Sequence, residues 1–328
     1  MDTPNVMNGG RATTLFAADQ YRNIRRPHVC FVFFGIVSTF VFWKPLRALI
    51  DFTVTHDYAS HIVLVIPISA YILYRNRQEI FQDIRSNVCG GLSLLFVATG
   101  LLWIRQRYFS ELASDEQLSL VTLAIIFLWI AGFVSTYGTR AFARARFPLL
   151  FLLLLIPIPE IFITRLTILL QSGSATVAYV LLRLLHVPVF RRGFMLSVPS
   201  LDIEVAEECS GIRSSFLLML TTVLVGQFVL RSFWRKSLLI LAVIPILVLK
   251  NGVRIVTISL LTIYVDRRFL HGWLHTSGGV VFYFLGILAL IPIAILLGKG
   301  DKGAENYSPK PPHSPADRIC SPSSATAV

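Results

Sequence analysis

The stretch Glu204–Leu220, EVAEECSGIRSSFLLML, places two glutamates and a cysteine directly in front of a run apolar enough to enter a lipid bilayer. That run continues from Ile212 to Leu230, and a helix needs roughly 20 apolar residues to cross about 30 Å of hydrocarbon. The stretch therefore reads as the junction between a polar surface segment and a membrane span. Working outward from it, runs of the same character lie at Val29–Leu49, Ser60–Tyr74, Cys89–Ile104, Leu118–Thr136, Phe147–Ile158, Ser237–Arg254 and Ser277–Leu297. With 55% hydrophobic and 15% charged residues, the chain is too apolar for an ordinary soluble domain. It is expected to be an all-α polytopic membrane protein with about eight transmembrane helices.

Orientation follows from the basic residues, because short loops rich in Lys and Arg stay on the cytoplasmic side. More than half of the 30 Lys and Arg fall in residues 1–28, 75–88, 137–147, 231–236 and 299–328, whereas most of the 18 acidic residues fall in the other connections. Both termini are thus expected in the cytoplasm, in a multi-pass protein of the inner (plasma) membrane. The formal charge of +12 is then largely a topology signal. No basic stripe with interleaved aromatics speaks for nucleic acid as a partner.

Three regions are expected: a cytoplasmic segment at 1–28, a membrane-embedded domain at 29–298, and a tail at 299–328. The tail is rich in Pro, Ser and Gly and has little to bury, so disorder is expected there. Residues 161–185 carry Arg165, Gln171, Ser172, Ser174 and Arg183 on an otherwise apolar segment, and a crossing there would disturb the charge rule. They are expected to form an interfacial helix on the outer face or a re-entrant hairpin. Beyond them, Leu201, Ile203 and Val205 alternate with Asp202 and Glu204, which suggests short strands; an extended linker is the competing reading.

On this topology Cys209 faces outward, apart from Cys30, Cys89 and Cys320. It lies at the N-terminal end of a spanning helix, where free amide groups favour a thiolate, while Glu207 and Glu208 oppose one. A reactive Cys209 therefore needs positive charge nearby. Arg213 is one candidate and Arg254 another: Ser237–Val265 is longer than one crossing, and a break at Asn251–Gly252 would leave Arg254 near the outer boundary. A snorkelling arginine at a helix end is an equal alternative. His271 and His275 precede the last span and suit proton exchange. Their spacing of four would also allow metal binding, although no HExxH is present. His56, His61 and His186 fall near the same side, so position does not choose among them.

ECSGIRSS (208–215), NGVRI (251–255) and HTSGG (275–279), in that order on an eight-span scaffold, resemble the exosortase/archaeosortase family of membrane transpeptidases. YASHIVLVIPISAYILYRNR (58–77) and FPLLFLLLLIPIPE (147–160) are similar to further family stretches, and the likeness covers roughly 55–295. The resemblance implies that Cys209 is the nucleophile, Arg254 the essential arginine and His275 the catalytic histidine, preferred to His271 because Gly278 and Gly279 follow it. It further implies a cysteine transpeptidase acting on C-terminal sorting signals of the Pro-Glu-Pro type, carried by exported proteins whose apolar tails lie in the bilayer. An amine of unidentified nature is the acceptor, and no cofactor is implied. A transporter with Lys250, Asn251 and Arg254 in a polar pathway, or a non-catalytic assembly protein, are the readings from other classes.

Overall fold

The computed structural model describes residues 26–109, 114–198, 201–205, 212–266, 268 and 279–305. Helix α1 (Arg26–Val41) meets α2 (Trp43–Thr55) at 75°. The single span expected over Val29–Leu49 is therefore two helices. Trp43-Lys44-Pro45 explains the break, because a proline is tolerated in the first turn of a new helix and would clash with the preceding turn of a continuing one. A 3-10 turn, Asp57–His61, leads into α3 (Ile62–Arg75), and the short α4 (Arg77–Ile80) closes that end. Helix α5 (Val88–Tyr108) starts where the Asn87 side chain accepts a hydrogen bond from the Gly90 amide at 2.8 Å.

Helix α6 (Ser114–Arg144) packs along α5 and is interrupted at Gly138, whose φ is 87°. A side chain there would be strained, and its Cβ would stand 1.7 Å from the Arg85 carbonyl oxygen. Glycine lets the 81–87 loop close onto α6 at that point. Helix α7 (Arg146–Phe151), extended by a 3-10 turn over Leu152–Leu155, runs back along α6 until Pro157 accepts a hydrogen bond from Ser119 Oγ at 2.7 Å.

Residues 160–184 form one continuous helix, α8 (Glu160–Leu184), and not a hairpin; contrary to the interfacial placement expected, this helix is itself long and apolar enough to cross a membrane. It packs lengthwise on α10. The expected strands are present: β1 (Phe190–Arg192), β2 (Met195–Val198) and β3 (Leu201–Glu204) make an antiparallel sheet in the order β1-β2-β3. Helices α9 (Ile212–Val229), α10 (Phe233–Tyr264) and α11 (Gly279–Glu305) complete the chain. The start of the expected tail thus belongs to α11, and residues 306–328 lie outside the described residues.

The break expected at Asn251–Gly252 is absent. Helix α10 runs unbroken for 32 residues, about 48 Å, because Gly252 sits where Val177 of α8 presses against it and the helix stays wrapped by protein. Among the described residues, seven helices are long and apolar enough to cross a membrane, or eight when the bent α1–α2 pair is one span; α8 is one of them, whereas the span expected over Phe147–Ile158 is only the short apolar stretch Arg146–Leu155. The chain is an all-α polytopic membrane protein.

Two ends of the bundle can be told apart by their contacts. At one, Asp57 meets Arg213, His56 meets Asp115, and Pro157 meets Ser119. At the other, Asp83 meets Arg140, Arg144 donates to the Glu79 carbonyl, and Arg75 lies over the Phe228 ring. The core of α1–α7 is apolar and aromatic, with Phe31, Phe81, Phe133 and Tyr137 in edge and tilted contact. A second core joins Leu170, Leu218, Leu239, Val243 and Leu290 across α8–α11, and a third seats the sheet on Ala178, Leu182, Ile255 and Val256.

Candidate active site

Of the three residues expected to carry the chemistry, Arg254 is described, and Cys209 and His275 lie outside the described residues, as do Glu207, Glu208 and His271. Arg254 sits on α10 with 8% of its surface exposed, one turn beyond Lys250 at 3% and Asn251 at 2%. A cation at membrane depth costs about 2.5–3.5 kcal/mol on insertion scales, so such residues face protein partners or water-lined cavities. The snorkelling alternative, a guanidinium reaching to a helix end through lipid, does not fit so little exposure.

The arrangement around Arg254 follows from helical geometry. Lys250 and Asn251 are adjacent, and successive residues of a helix point about 100° apart. They therefore address different neighbours. Lys250 Nζ donates to Ser214 Oγ on α9, in the first turn of that helix, and Asn251 Nδ2 donates to Ser174 Oγ on α8 at 3.0 Å. One turn earlier on α8, Gln171 Nε2 donates to the Val205 carbonyl at 3.0 Å. Three helices and the exit of β3 are thus pinned at one level by buried polar pairs.

Helix α8 runs parallel to α10. Gly173 lies against Val248, Ser174 bonds Asn251, and Val177 touches Gly252, so both numbers rise together along the contact. At Gly252 an added Cβ would meet Val177 Cγ1 at 2.4 Å, and this close approach is what brings the Ser174 hydroxyl within reach of Asn251. Gln171 and Ser174, which at first sight merely spoil an apolar helix, are the polar partners that the buried turn of α10 requires. Their spacing of three places them on one helical face, and that spacing was the available signal.

Arg213, the other candidate cation, reaches away from this turn: its Nη1 lies 3.3 Å from Asp57 Oδ1, and both side chains are largely exposed. Among the other histidines, His61 is buried with its ring stacked on Phe216 at 5.1 Å, and its Nδ1 pairs with the Tyr58 carbonyl at 3.0 Å. His56 lies 3.8 Å from Asp115. Both are tied into the α2–α3 corner by these contacts. His186, with φ at 58°, follows α8 and donates its amide to the Arg183 carbonyl in the last turn of that helix at 3.1 Å.

The structure is thus a multi-span helical membrane protein with a buried, hydrogen-bonded cationic turn beside a small sheet. The chain belongs to the transmembrane exosortase family: the model of that family (Exosortase_EpsH) matches residues 53–292. No curated protein and no solved structure matches the chain. Family membership assigns a membrane transpeptidase role in general terms, acting on exported proteins at the membrane.

Proposed function

We propose that this protein cleaves C-terminal sorting signals of exported proteins through a thioester on Cys209 and passes the new C-terminus to an amine. His275 takes the thiol proton, and the Cys209 sulfur attacks the scissile carbonyl carbon. Arg254 donates hydrogen bonds to the oxyanion that forms. The peptide C–N bond then breaks as the imidazolium returns its proton to the leaving amine, which departs with the apolar tail. An acceptor amine attacks the thioester, its proton passes to the thiolate, and an amide replaces the C–S bond; with water as acceptor the outcome is hydrolysis. The substrate class carried over from the family resemblance is the Pro-Glu-Pro type of signal followed by an apolar segment. The reaction takes place at the outer face of the plasma membrane, with both termini in the cytoplasm.

The observation that carries this reading is the position of Arg254. Val205 and Ile212, the described residues that bracket Cys209 in sequence, are both held at the level of its turn. Val205 accepts the Gln171 hydrogen bond and packs with Ile255 and Val256, and two residues past Ile212 the Ser214 hydroxyl takes the Lys250 hydrogen bond. The test is Cys209→Ala in cells that co-express a tail-bearing substrate. Full-length substrate should accumulate in the membrane; processing at the wild-type rate overturns the proposal. An impermeant thiol reagent on intact cells should label Cys209 and spare Cys30 and Cys89, and the reverse pattern overturns the orientation.

A further inference from the structure

The three-stranded sheet ends in an unpaired edge strand, β3, whose last residue Glu204 precedes Cys209 by five positions in the sequence. In the register of β2 and β3, Met195 faces Glu204, Leu196 faces Ile203 and Ser197 faces Asp202. The Val205 amide donates to the Phe194 carbonyl at 3.0 Å, one step further along the same ladder. Because antiparallel partners alternate between bonded and non-bonded pairs, the amide and carbonyl of Ile203 point toward β2. Those of Asp202 and Glu204 point the other way. Among the described residues no strand pairs with that side of β3, and the side chains of Asp202 and Glu204 are exposed. An open edge of this kind is a template for another strand.

We infer that the substrate's sorting segment docks in an extended conformation, parallel to β3, on the edge formed by the backbone of Asp202 and Glu204. This rests on the reading of Cys209 as nucleophile given above. The other free edge, β1, follows directly on the loop after α8 and leads away from Val205, whereas β3 runs through Val205 into the segment that contains Cys209. A parallel guest strand carries its C-terminal residues in that same direction. Its scissile bond, on the C-terminal side of the docked residues, thereby comes to the Val205 end of the edge, from which the chain continues to Cys209.

Parallel pairing fixes which amides the guest must supply. A residue X placed opposite Ile203 donates its amide to the Asp202 carbonyl and accepts at its own carbonyl from the Glu204 amide. The residues on either side of X turn their nitrogens outward, and those positions can be proline without loss of a hydrogen bond. A Pro-X-Pro segment therefore suits this edge: it pairs through X and presents no free amide to a further strand. The side chain of X stands on the face that Ile203 presents to the cluster of Ile255 and Val256, the residues that follow Arg254 on α10.

Two experiments test the docking mode. Glu204→Pro removes the outward amide, which β2 does not use, while Glu204→Ala keeps it. Processing of a co-expressed substrate should fall at least about tenfold in Glu204→Pro and change less than about twofold in Glu204→Ala, at equal membrane abundance and melting temperature. Should Glu204→Pro fold poorly, the second experiment reads the same bond from the guest: a synthetic signal peptide is N-methylated one residue at a time and offered to the wild-type protein. Only methylation at X should abolish cleavage. Equal tolerance at X and its neighbours, or equal rates in the two Glu204 variants, overturns the docking mode. Loss of processing in Cys209→Ala alongside either result leaves the nucleophile assignment standing, so the two proposals fail separately.

Discussion

The half of the molecule formed by α1–α7 and the half formed by α8–α11 solve the problem of living in lipid differently. The first buries aromatic rings against one another, with Phe31, Phe81, Phe133 and Tyr137 in mutual contact, and keeps its ion pairs for the ends of the helices, as at Asp83–Arg140. The second buries Lys250, Asn251, Arg254, Gln171, Ser174 and Ser214 between helices. Cations inside a bilayer are costly and rarely kept without a use, so on the function proposed above the buried Lys250 and Arg254 make the second half the working one and the first its support. A structural role alone would be met more cheaply by leucines of similar size.

That contrast is sharpest for Arg254. Arg254→Ala should lower processing by about a hundredfold or more, the scale seen when one donor to an oxyanion is removed. In the other half, Trp129→Phe deletes the 3.0 Å bond from Trp129 Nε1 to Ser38 Oγ and should leave processing per folded molecule unchanged. Comparable losses from both changes would erase the division. Next in size is Gly138→Ala, where the positive φ and the Arg85 carbonyl both oppose a side chain. It should cost on the order of 1–3 kcal/mol of stability, read as a lower melting temperature in detergent, with normal turnover by the protein that remains folded.

Asn251 offers a finer probe. Asn251→Ala strands the buried Ser174 hydroxyl and should cost about 1–3 kcal/mol. Pairing Asn251→Leu with Ser174→Ala removes both ends of that hydrogen bond and should recover part of the melting temperature. Processing should stay low in the double variant if the polar turn serves the reaction, and recover with stability if it only holds α8 to α10.

The smallest effect is expected at Asp83. Hydrogen bonds from Arg140 and then Arg85 hold its carboxyl below the usual carboxylate range. A depressed carboxyl contributes stability above the unfolded-state value and loses it as pH falls through the folded-state value. Asp83→Asn should therefore differ from wild type at neutral pH and converge with it in acid, and because the Arg85 and Arg140 side chains that hold it are exposed to screening solvent the difference should stand at the limit of detection. A large melting shift would show that the supporting half also depends on its charges.

Much of this was legible in the chain. Span positions, the strands around Val205 and the oddity of Arg254 are written in local patterns: apolar runs, a period of two, a cation in the wrong solvent. The bend between α1 and α2 needed attention to Pro45 inside an apolar run that otherwise reads as one helix. The unbroken α10 was hidden for a different reason. Asn251-Gly252 is a breaking signal in isolation, and here Val177, about 75 positions earlier, fills the space beside the glycine. The pairs Lys250–Ser214 and Asn251–Ser174 likewise join distant segments, and no local spacing announces which serine a buried donor will find.

The length of α10 has a consequence of its own. Measured from Phe233, roughly 30 Å of helix is used up near Arg254, and the last ten residues to Tyr264 stand beyond a bilayer of average thickness. Depth is thereby built into the protein as a ruler graduated from the opposite leaflet. Lipids with longer acyl chains would move that boundary further along α10 toward Tyr264, and shorter ones would draw it back toward Lys250.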